Sequence, residues 1–453
     1  MAIKLFDKRF KKLYNNSYKK LYKIKRKNKL SSILNIAIVG LGTVGSGVVK
    51  MLSENKKIIT TDNDLTINLV KVLDKDASRA QKLGLDKSII VTDFGQIISD
   101  KSIAVVVELI GGVTVAKDFI ERALNAKKSV VTANKDLMCK YGTDLIKLAC
   151  KNGVQILFGA SCCGTIPIIS VLENNFKADK IISIKGIFNG TTNFILTKMN
   201  DELMHFDDAL AIAQDIGFAE ADPTSDVDGF DSAYKLCILS RIAFGAKINI
   251  EDVTRTGIRA ISRMDIVMSK KLGYVIKLLA ICKENSAGEL ELRVSPFLVP
   301  TNHQFATING GTNSVVINGN YSGVVSMSGA GAGSKPTASS VVNDIISCDG
   351  GYTPFVPNEH RVFAKDWESE FFIKLPIADS VGTLAKIAKC FGDNAVSIDS
   401  CIEEKDVIGD KKNLVITLYK TSYLQLQKAL NAVKKLECVL DEPSVIEIFN
   451  EDK

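Results

Sequence analysis

The feature that most restricts what this chain can fold into is the run Ile36 to Gly45. An apolar, β-rich stretch from Ile33 to Val39 passes without a break into Gly40-Leu-Gly-Thr-Val-Gly45, and a helical pattern continues through Val48, Val49 and Leu52. A strand that ends on G-x-G-x-x-G and opens a helix is the context in which this motif binds a dinucleotide. Each glycine has its own task. Gly40 permits the tight turn, Gly42 lets backbone approach a pyrophosphate, and Gly45 allows close packing of helix on strand. Thr43 and Val44 open the helix, whose free N–H groups and positive dipole end would face the phosphates. The bland alternative is a glycine-rich turn with no ligand, and the strand–turn–helix context argues against it.

The pattern repeats downstream. Apolar runs lie at Leu69 to Leu73, Ile89 to Val91, Ala104 to Ile110, Ser129 to Thr132 and Gln155 to Phe158, with helical segments such as Lys117 to Ala126 and Leu145 to Lys151 between them. Strands alternating with helices predict a doubly wound parallel sheet. It closes near residue 160. Asp74 ends the second run, where an acid commonly holds the adenosine ribose. Lys75 and Arg79 stand nearby and offer charge to a 2′-phosphate instead. The choice between NAD and NADP stays open at this point.

From residue 161 the pattern changes. Ile182 to Phe188 reads as a strand, Phe206 to Lys247 as a helical, carboxylate-rich stretch, and Glu289 to Pro300 and Asn313 to Val325 as further β-like runs. A sheet covered by helices is expected over 161–366, with the glycine-rich segment at 329–345 returning to the cofactor side. From 367 to 453 the order of apolar runs is β-α-β-β-α-β, the ferredoxin-like arrangement.

Composition matters chiefly through its distribution. The net charge of +7 belongs to the first thirty residues, which hold twelve Lys or Arg and one acid, while the rest is mildly acidic. Residues 1–32 are therefore read as a basic, disordered extension, with nucleic-acid or anionic-lipid contact as one alternative and a transit peptide, a type that favours Arg and Ser over Lys, Tyr and Asn, as another. The body itself suggests no nucleic-acid or membrane partner. No stretch approaches the roughly 18 apolar residues of a membrane-spanning helix. Ten scattered cysteines without a Cys-x-x-Cys pair, and three histidines, point to buried free thiols in a reducing cytoplasm rather than a zinc site.

The chemistry concentrates between Glu220 and Lys235. Five acids and a lysine fall within Glu220-Ala-Asp-Pro-Thr-Ser-Asp226-Val-Asp228-Gly-Phe-Asp231-Ser-Ala-Tyr-Lys235. Asp231 and Lys235 are four apart, so a helix puts them on one face, about 6 Å apart along its axis. A solvated charge run is the usual explanation for such a stretch. Gly217, Pro223 and Gly229 interrupt it, however, and the apolar helix Leu236 to Phe244 anchors it. Carboxylates here suit a substrate ammonium, and a lysine suits exchange of a hydroxyl proton during hydride transfer. A free lysine has a pKa of about 10.4. Desolvation or a second cation would lower it, and a nearby aspartate would oppose this. Lys135, just past the strand Ser129 to Thr132, is the candidate second cation.

At this point the chain resembles a homoserine dehydrogenase carrying a C-terminal ACT domain. The resemblance rests on Ile38 to Gly45, Glu108-Leu-Ile-Gly-Gly112, Val131-Thr-Ala-Asn-Lys-Asp136, Gly186-Ile-Phe-Asn-Gly-Thr-Thr-Asn193, the acidic segment to Lys235, and Gly329 to Asp344. It implies a Rossmann-type domain at 33–160, an α+β substrate and dimerisation domain at 161–366, and an ACT domain at 367–453. It also implies NAD- or NADP-linked interconversion of L-homoserine and L-aspartate 4-semialdehyde, a step toward threonine, methionine and isoleucine, in a cytoplasmic homo-oligomer. Carried over by position, Glu220, Asp226 and Asp231 hold the substrate, and Lys235 donates the proton. Lys135 assists near substrate and cofactor. Gly190 and Gly333, within Asn189-Gly-Thr191 and Gly331-Ala-Gly333, line the nicotinamide side.

Departures from the family pattern limit the carry-over. Gly159 stands where a glutamate usually helps hold a structural sodium ion, leaving only backbone carbonyls at Cys162, Gly164 and Ile166. The ACT turn reads Asp379-Ser-Val-Gly382 in place of Asp-x-Pro-Gly, and a Thr-His pair is Thr417-Leu418, which bears on any amino-acid effector. A chain of this fold that binds nucleotide and amino acid without turnover is the alternative reading.

Overall fold

A computed structural model describes residues 32–350, 357, 360–405 and 412–451. The basic extension lies outside the described residues. The chain forms two compact units. The first takes the chain through Thr132, then Leu145–Leu157 and the chain from Thr337. The second takes Ala133–Asp144, Phe158–Pro336 and the C-terminal part.

In the first unit, strands β1 (Ser32–Val39), β2 (Leu65–Leu73), β3 (Ile90–Val91), β4 (Val105–Glu108), β5 (Ser129–Thr132) and β6 (Ile156–Leu157) form one parallel sheet in the order β3-β2-β1-β4-β5-β6. Every residue of β4 is buried, as is the second half of β1. Strands covered on both faces need apolar side chains at every position, which is why they stand out as continuous runs in the sequence. The strand order reverses between β1 and β4, and ligands of such sheets bind beyond the carboxyl ends at that reversal. Gly40–Gly45 leaves β1 there, and Leu109–Gly112 leaves β4. Buried Glu108 holds the second loop in place. Its carboxylate accepts from the Ile110 N–H at 2.9 Å and from the Thr132 hydroxyl at 2.6 Å, and burial pushes its pKa up.

The second unit is built on a ten-stranded mixed sheet. Its strands are β7 (Ile181–Ile187), β8 (Thr254–Arg255), β9 (Tyr274–Glu284), β10 (Leu290–Pro300), β11 (Thr312–Gly319), β12 (Gly323–Ala330), β13 (Glu368–Ile377), β14 (Ile398–Lys405), β15 (Lys412–Ser422) and β16 (Ser444–Ile448). The order is β12-β11-β7-β9-β10-β16-β13-β15-β14, with β8 beside β10. The last four strands and the helices Thr383–Asp393 and Tyr423–Val433 follow the β-α-β-β-α-β order. Phe371, Ile373, Leu375 and Ile377, alternate residues of β13, pack with Ile387, Phe391, Leu426 and Leu430. β16 pairs with β10, with Phe297 opposite Glu447, so these strands extend the preceding sheet rather than forming a separate one.

Three sequence expectations need correction. The helical stretch Phe206 to Lys247 is three helices, Phe206–Asp215, Thr224–Val227 and Phe230–Phe244. Gly217 (φ 76°) and Gly229 (φ 80°) break it by taking left-handed conformations open to glycine. The run Asn313 to Val325 is a hairpin, β11 and β12. Its turn is fixed by the Asp179 carboxylate, which accepts from the N–H groups of Tyr321 and Ser322 at 3.1 and 2.9 Å. The cysteines are free, but Cys150 and Cys401 are exposed rather than buried. Among the described residues, no helix is long and apolar enough to cross a membrane.

Strand β9 carries buried Lys277, whose ammonium donates to the Ile308 carbonyl (2.6 Å), Asn309 Oδ1 (2.9 Å) and Asn193 Oδ1 (3.2 Å). Burial pulls its pKa down to about 8. The unfolded lysine, at about 10.4, therefore binds more protons than the folded one between those values. The cost of burying this charge is complete below pH 8 and is relieved as pH rises toward the unfolded value. Urea unfolding across that window should show the wild type gaining stability relative to Lys277→Met. Parallel curves would refute it.

Candidate active site

The helix Phe230–Phe244 begins after Gly229, whose left-handed backbone turns the acidic loop into the helix. Asp231 lies in its first turn and is buried. Burial alone would raise its pKa, but the charges of Lys235 and Lys135 and the hydrogen bonds from Asn189 and Lys235 override it. The carboxyl is held well below the usual carboxylate range. Oδ2 accepts from Lys235 Nζ at 2.7 Å and from Asn189 Nδ2 at 2.8 Å, and Oδ1 lies 3.0 Å from Lys135 Nζ. One buried carboxylate thus serves two ammonium groups. Lys235 also donates to the Phe188 carbonyl at 2.7 Å. The Asp231 charge drives the Lys135 pKa upward, against its own desolvation.

Asn189 is the organiser that sequence reasoning placed on the cofactor side only. Its Oδ1 caps the helix Gly190–Glu202 by accepting from the Thr192 N–H at 2.7 Å. This fixes the amide so that Nδ2 donates to both Asp231 and Asp226, the latter at 2.7 Å. An asparagine one residue before a helical pattern is a capping signal, and it was readable in Asn189-Gly-Thr-Thr. Burial, and then the Asp231 charge, raise the Asp226 pKa. The structure therefore brings together Lys135, Asp226, Asp231 and Lys235. Glu220 makes none of these contacts. It is exposed, and its backbone carbonyl accepts from Gln214.

Two further residues escaped the sequence reading. Buried Arg241 donates to the carbonyls of Met138 and Cys139, in the helix Lys135–Asn152, and to that of Ile248. It locks the turn that follows Lys135 against the helix that carries Lys235. An arginine inside the otherwise apolar run Leu236 to Phe244 was its signal. Asn313 donates to the Phe188 carbonyl at 2.9 Å, alongside Lys235. Gly190 and the second glycine stretch are close-packed backbone. A Cβ on Gly190 would meet the Gly311 carbonyl at 2.8 Å, and one on Gly164 the Ala330 carbonyl at 2.3 Å. Gly333 is left-handed, at φ 119°.

In the first unit the glycine turn has the geometry its sequence requires. Gly40 has φ 98°, and a Cβ there would lie 2.7 Å from the Leu109 carbonyl. A Cβ on Gly45 would lie 2.0 Å from the Gly40 carbonyl, whereas one on Gly42 would meet open space. The helix Thr43–Glu54 has no side-chain cap at Gly42, and the start of a helix favours an anion. Asp74 directly follows β2. Its side chain is only 7% exposed and accepts from the N–H groups of Leu41 and Asp76, bracing the glycine turn. Arg79, exposed, stands 3.7 Å from it, and Lys75 is exposed too.

The loop from Gly159 to Ile166 offers little to a cation. Cys162 and Cys163 are buried, and burial pushes both thiols up, Cys163 to about 11. They are neutral, and Gly159 supplies no charge. The Ile166 carbonyl already accepts from the Ile168 N–H at 2.7 Å. Among the described residues no group of three or more His, Cys, Asp or Glu is arranged to hold a metal ion.

Removing the charge of Asp231 should be expensive, because it leaves two lysines without their counterion. Asp231→Asn is expected to cost about 3–5 kcal/mol of unfolding free energy. Asp228→Asn, which breaks an exposed pair with Arg259, should cost about 1 kcal/mol or less. Chemical denaturation of both variants checks this, and equal losses would contradict it.

Two family models match the chain. One, described as homoserine dehydrogenase, NAD binding domain, covers residues 40–159, and the other, homoserine dehydrogenase, covers residues 167–346. The homoserine dehydrogenase of Bacillus subtilis is 38% identical over 425 residues, covering 92% of this chain and 98% of the relative. That of Synechocystis is 37% identical, covering 92% and 100%. Among solved structures, a homoserine dehydrogenase from Thiobacillus denitrificans matches with a TM-score of 0.87 at 33% identity, covering 92% and 99%. A hyperthermophilic archaeal homoserine dehydrogenase mutant in complex with NADPH matches with a TM-score of 0.62 at 28% identity, covering 72% of this chain and all of that one. Similarity of this extent, spanning nearly the whole of both chains, places this chain in the homoserine dehydrogenase family.

Proposed function

We propose that this chain interconverts L-homoserine and L-aspartate 4-semialdehyde with a nicotinamide cofactor. The observation that carries the reading is Asp231, buried and bound to both Lys135 and Lys235. When bound, the nicotinamide supplies the hydride. In reduction, Lys235 donates its proton to the aldehyde oxygen. Asp231 and the Phe188 carbonyl aim the ammonium before transfer. Asp231 is saturated by two lysines and Asn189, so its role is to orient them. Asp226 and exposed Glu220 are left to receive the substrate ammonium. That cation would relieve the burial that raises the Asp226 pKa. Lys135, fixed on the same carboxylate, is read as assisting near substrate and nicotinamide.

On the cofactor side, Gly40, Gly42, Thr43, Val44 and Gly45 cradle the pyrophosphate, and Gly190 and Gly333 let backbone approach the nicotinamide. NADP is the preferred form in this reading. Asp74 is engaged with the glycine turn rather than presented to a ribose, while Arg79 and Lys75 offer positive charge beside it. Residues 367–453 are read as the ACT module, and the chain as a homo-oligomer through the middle sheet. No step is assigned to a sodium ion at Cys162, Gly164 and Ile166. A catalytically silent sensor gains nothing from a lysine pair held on one carboxylate.

Purified protein should consume NADPH only when aspartate semialdehyde is added, and Lys235→Ala should slow that reaction by about 100-fold or more. No aldehyde-dependent consumption of either cofactor would sink the reading. Arg79→Ala should raise KM for NADPH about tenfold, the loss of one charge-assisted contact, with KM for NADH little changed. Equal changes for both would return the 2′-phosphate contact to another residue.

A further inference from the structure

We propose that Cys139 and Cys237 are a site of oxidative modification, where a disulfide ties the helix that carries Lys135 to the helix that carries Lys235. The bond itself does not depend on the dehydrogenase reading, and only its effect on rate rests on that reading. Both residues lie in the second unit. Cys139 stands about one turn after Lys135 in the helix Lys135–Asn152, and Cys237 lies two residues after Lys235 in the helix Phe230–Phe244. The two helices meet at this level. Arg241, one turn after Cys237, donates to the carbonyls of Met138 and Cys139, and a Cβ on Gly142 would lie 3.8 Å from Arg241 Nη1. Between the helices the two thiols are buried and hydrogen-bonded to each other.

The pair is chemically asymmetric. The thiolate is the reactive form of cysteine. The hydrogen bond from Cys237 pulls the Cys139 pKa down against burial, and the Arg241 charge adds to it. The same bond, together with burial, pushes the Cys237 thiol up. Burial pushes Cys162, Cys163, Cys282 and Cys348 up as well, so Cys139 departs from the other buried thiols. An attacking sulfur beside a protonated resolving one is the arrangement that peroxide oxidises to a disulfide. Among the described residues no third His, Cys, Asp or Glu joins them as a metal site. Burial restricts the oxidant to a small one, hydrogen peroxide. The Cys139 thiolate attacks one peroxide oxygen, the O–O bond breaks, and the departing hydroxide takes a proton and leaves as water. The Cys237 sulfur then displaces the hydroxyl of the Cys139 sulfenic acid, which leaves as a second water with the Cys237 proton. Two thiols are oxidised to one disulfide, and one peroxide is reduced to two waters. A covalent bond draws the sulfurs closer than a hydrogen bond does, so the first turn of the Lys135 helix must shift. A misplacement of about 1 Å in such a site can cost roughly 100-fold in rate.

The test uses the full chain, reduced, freed of reductant and treated with hydrogen peroxide. Remaining thiols are alkylated and tryptic peptides are weighed. Trypsin releases Cys139 within Asp136–Lys140 and Cys237 within Leu236–Arg241, each with a single cysteine. The proposal predicts these two peptides joined, short of two hydrogens, and separated again by dithiothreitol. Aldehyde-dependent NADPH consumption should fall at least about tenfold on oxidation and return with dithiothreitol. Cys139→Ala and Cys237→Ala should each keep the reduced rate and resist peroxide, and if one fails to fold the other carries the comparison. Oxidation confined to exposed Cys150 and Cys401, with the two peptides unjoined, would overturn the proposal whether or not the chain turns over aldehyde. Joined peptides with an unchanged rate, or equal loss of rate in the alanine variants, would overturn the effect on the lysine-bearing helices. A reduced chain with no aldehyde-dependent rate would count against the dehydrogenase reading alone, and the peptides would still decide the pair.

Discussion

Asp231 is the constraint from which the rest of the candidate site follows. A carboxylate taken out of water is costly unless its partners are close and well aimed. Here three donors arrive from three segments: Lys235 one turn along the same helix, Asn189 at the start of the helix Gly190–Glu202, and Lys135 at the start of the helix Lys135–Asn152. Opposite charges 4 Å apart gain about 4 kcal/mol at an effective dielectric constant of 20, and Asp231 has two such partners at closer range. The arrangement works only if each segment is held in place. Gly229 turns the chain into the helix, Asn189 is fixed by its own capping bond, and Arg241 ties the turn after Lys135 to the lysine-bearing helix. The Lys235 ammonium is thus positioned by a structural network rather than by its own flexible stem.

The first unit applies the same economy to an anion. Its glycine turn carries no charge to offer phosphate and relies on the start of a helix with no side-chain cap at Gly42. The turn stays aligned because Gly40 and Gly45 pack against backbone that no Cβ would permit. Asp74 contributes from behind, through the amides of Leu41 and Asp76, and Glu108 does the equivalent for the loop after β4. Two acids at strand ends are therefore spent on shaping loops.

Much of this was legible in the sequence because local pattern determined it. Strands buried on both faces, such as β4, must be uniformly apolar, and the G-x-G-x-x-G turn must follow one of them. The spacing of Asp231 and Lys235 required them to meet once a helix formed. What was not legible depended on distant partners. Nothing local says that β16 pairs with β10. The strand β9, an unbroken apolar run around Lys277, does not alternate, and such runs do not distinguish strand from helix. Asp74 shows a related limit: its position at a strand end is compatible with ribose binding or loop bracing, and its bracing role is visible only in its hydrogen bonds. Arg241 was visible as a charge in an apolar helix, but its partners Met138 and Cys139 lie about a hundred residues earlier.

The central claim is that Asp231 and Lys235 act as one proton-donating unit. A double-mutant cycle on the rate of NADPH-linked aldehyde reduction, with Asp231→Asn, Lys235→Met and the double variant, tests it most directly. Groups that act as a unit are grossly non-additive. The account predicts that the double variant is no slower than Lys235→Met alone, within about threefold. Losses that multiply would mean that the carboxylate and the lysine contribute independently, and would contradict it.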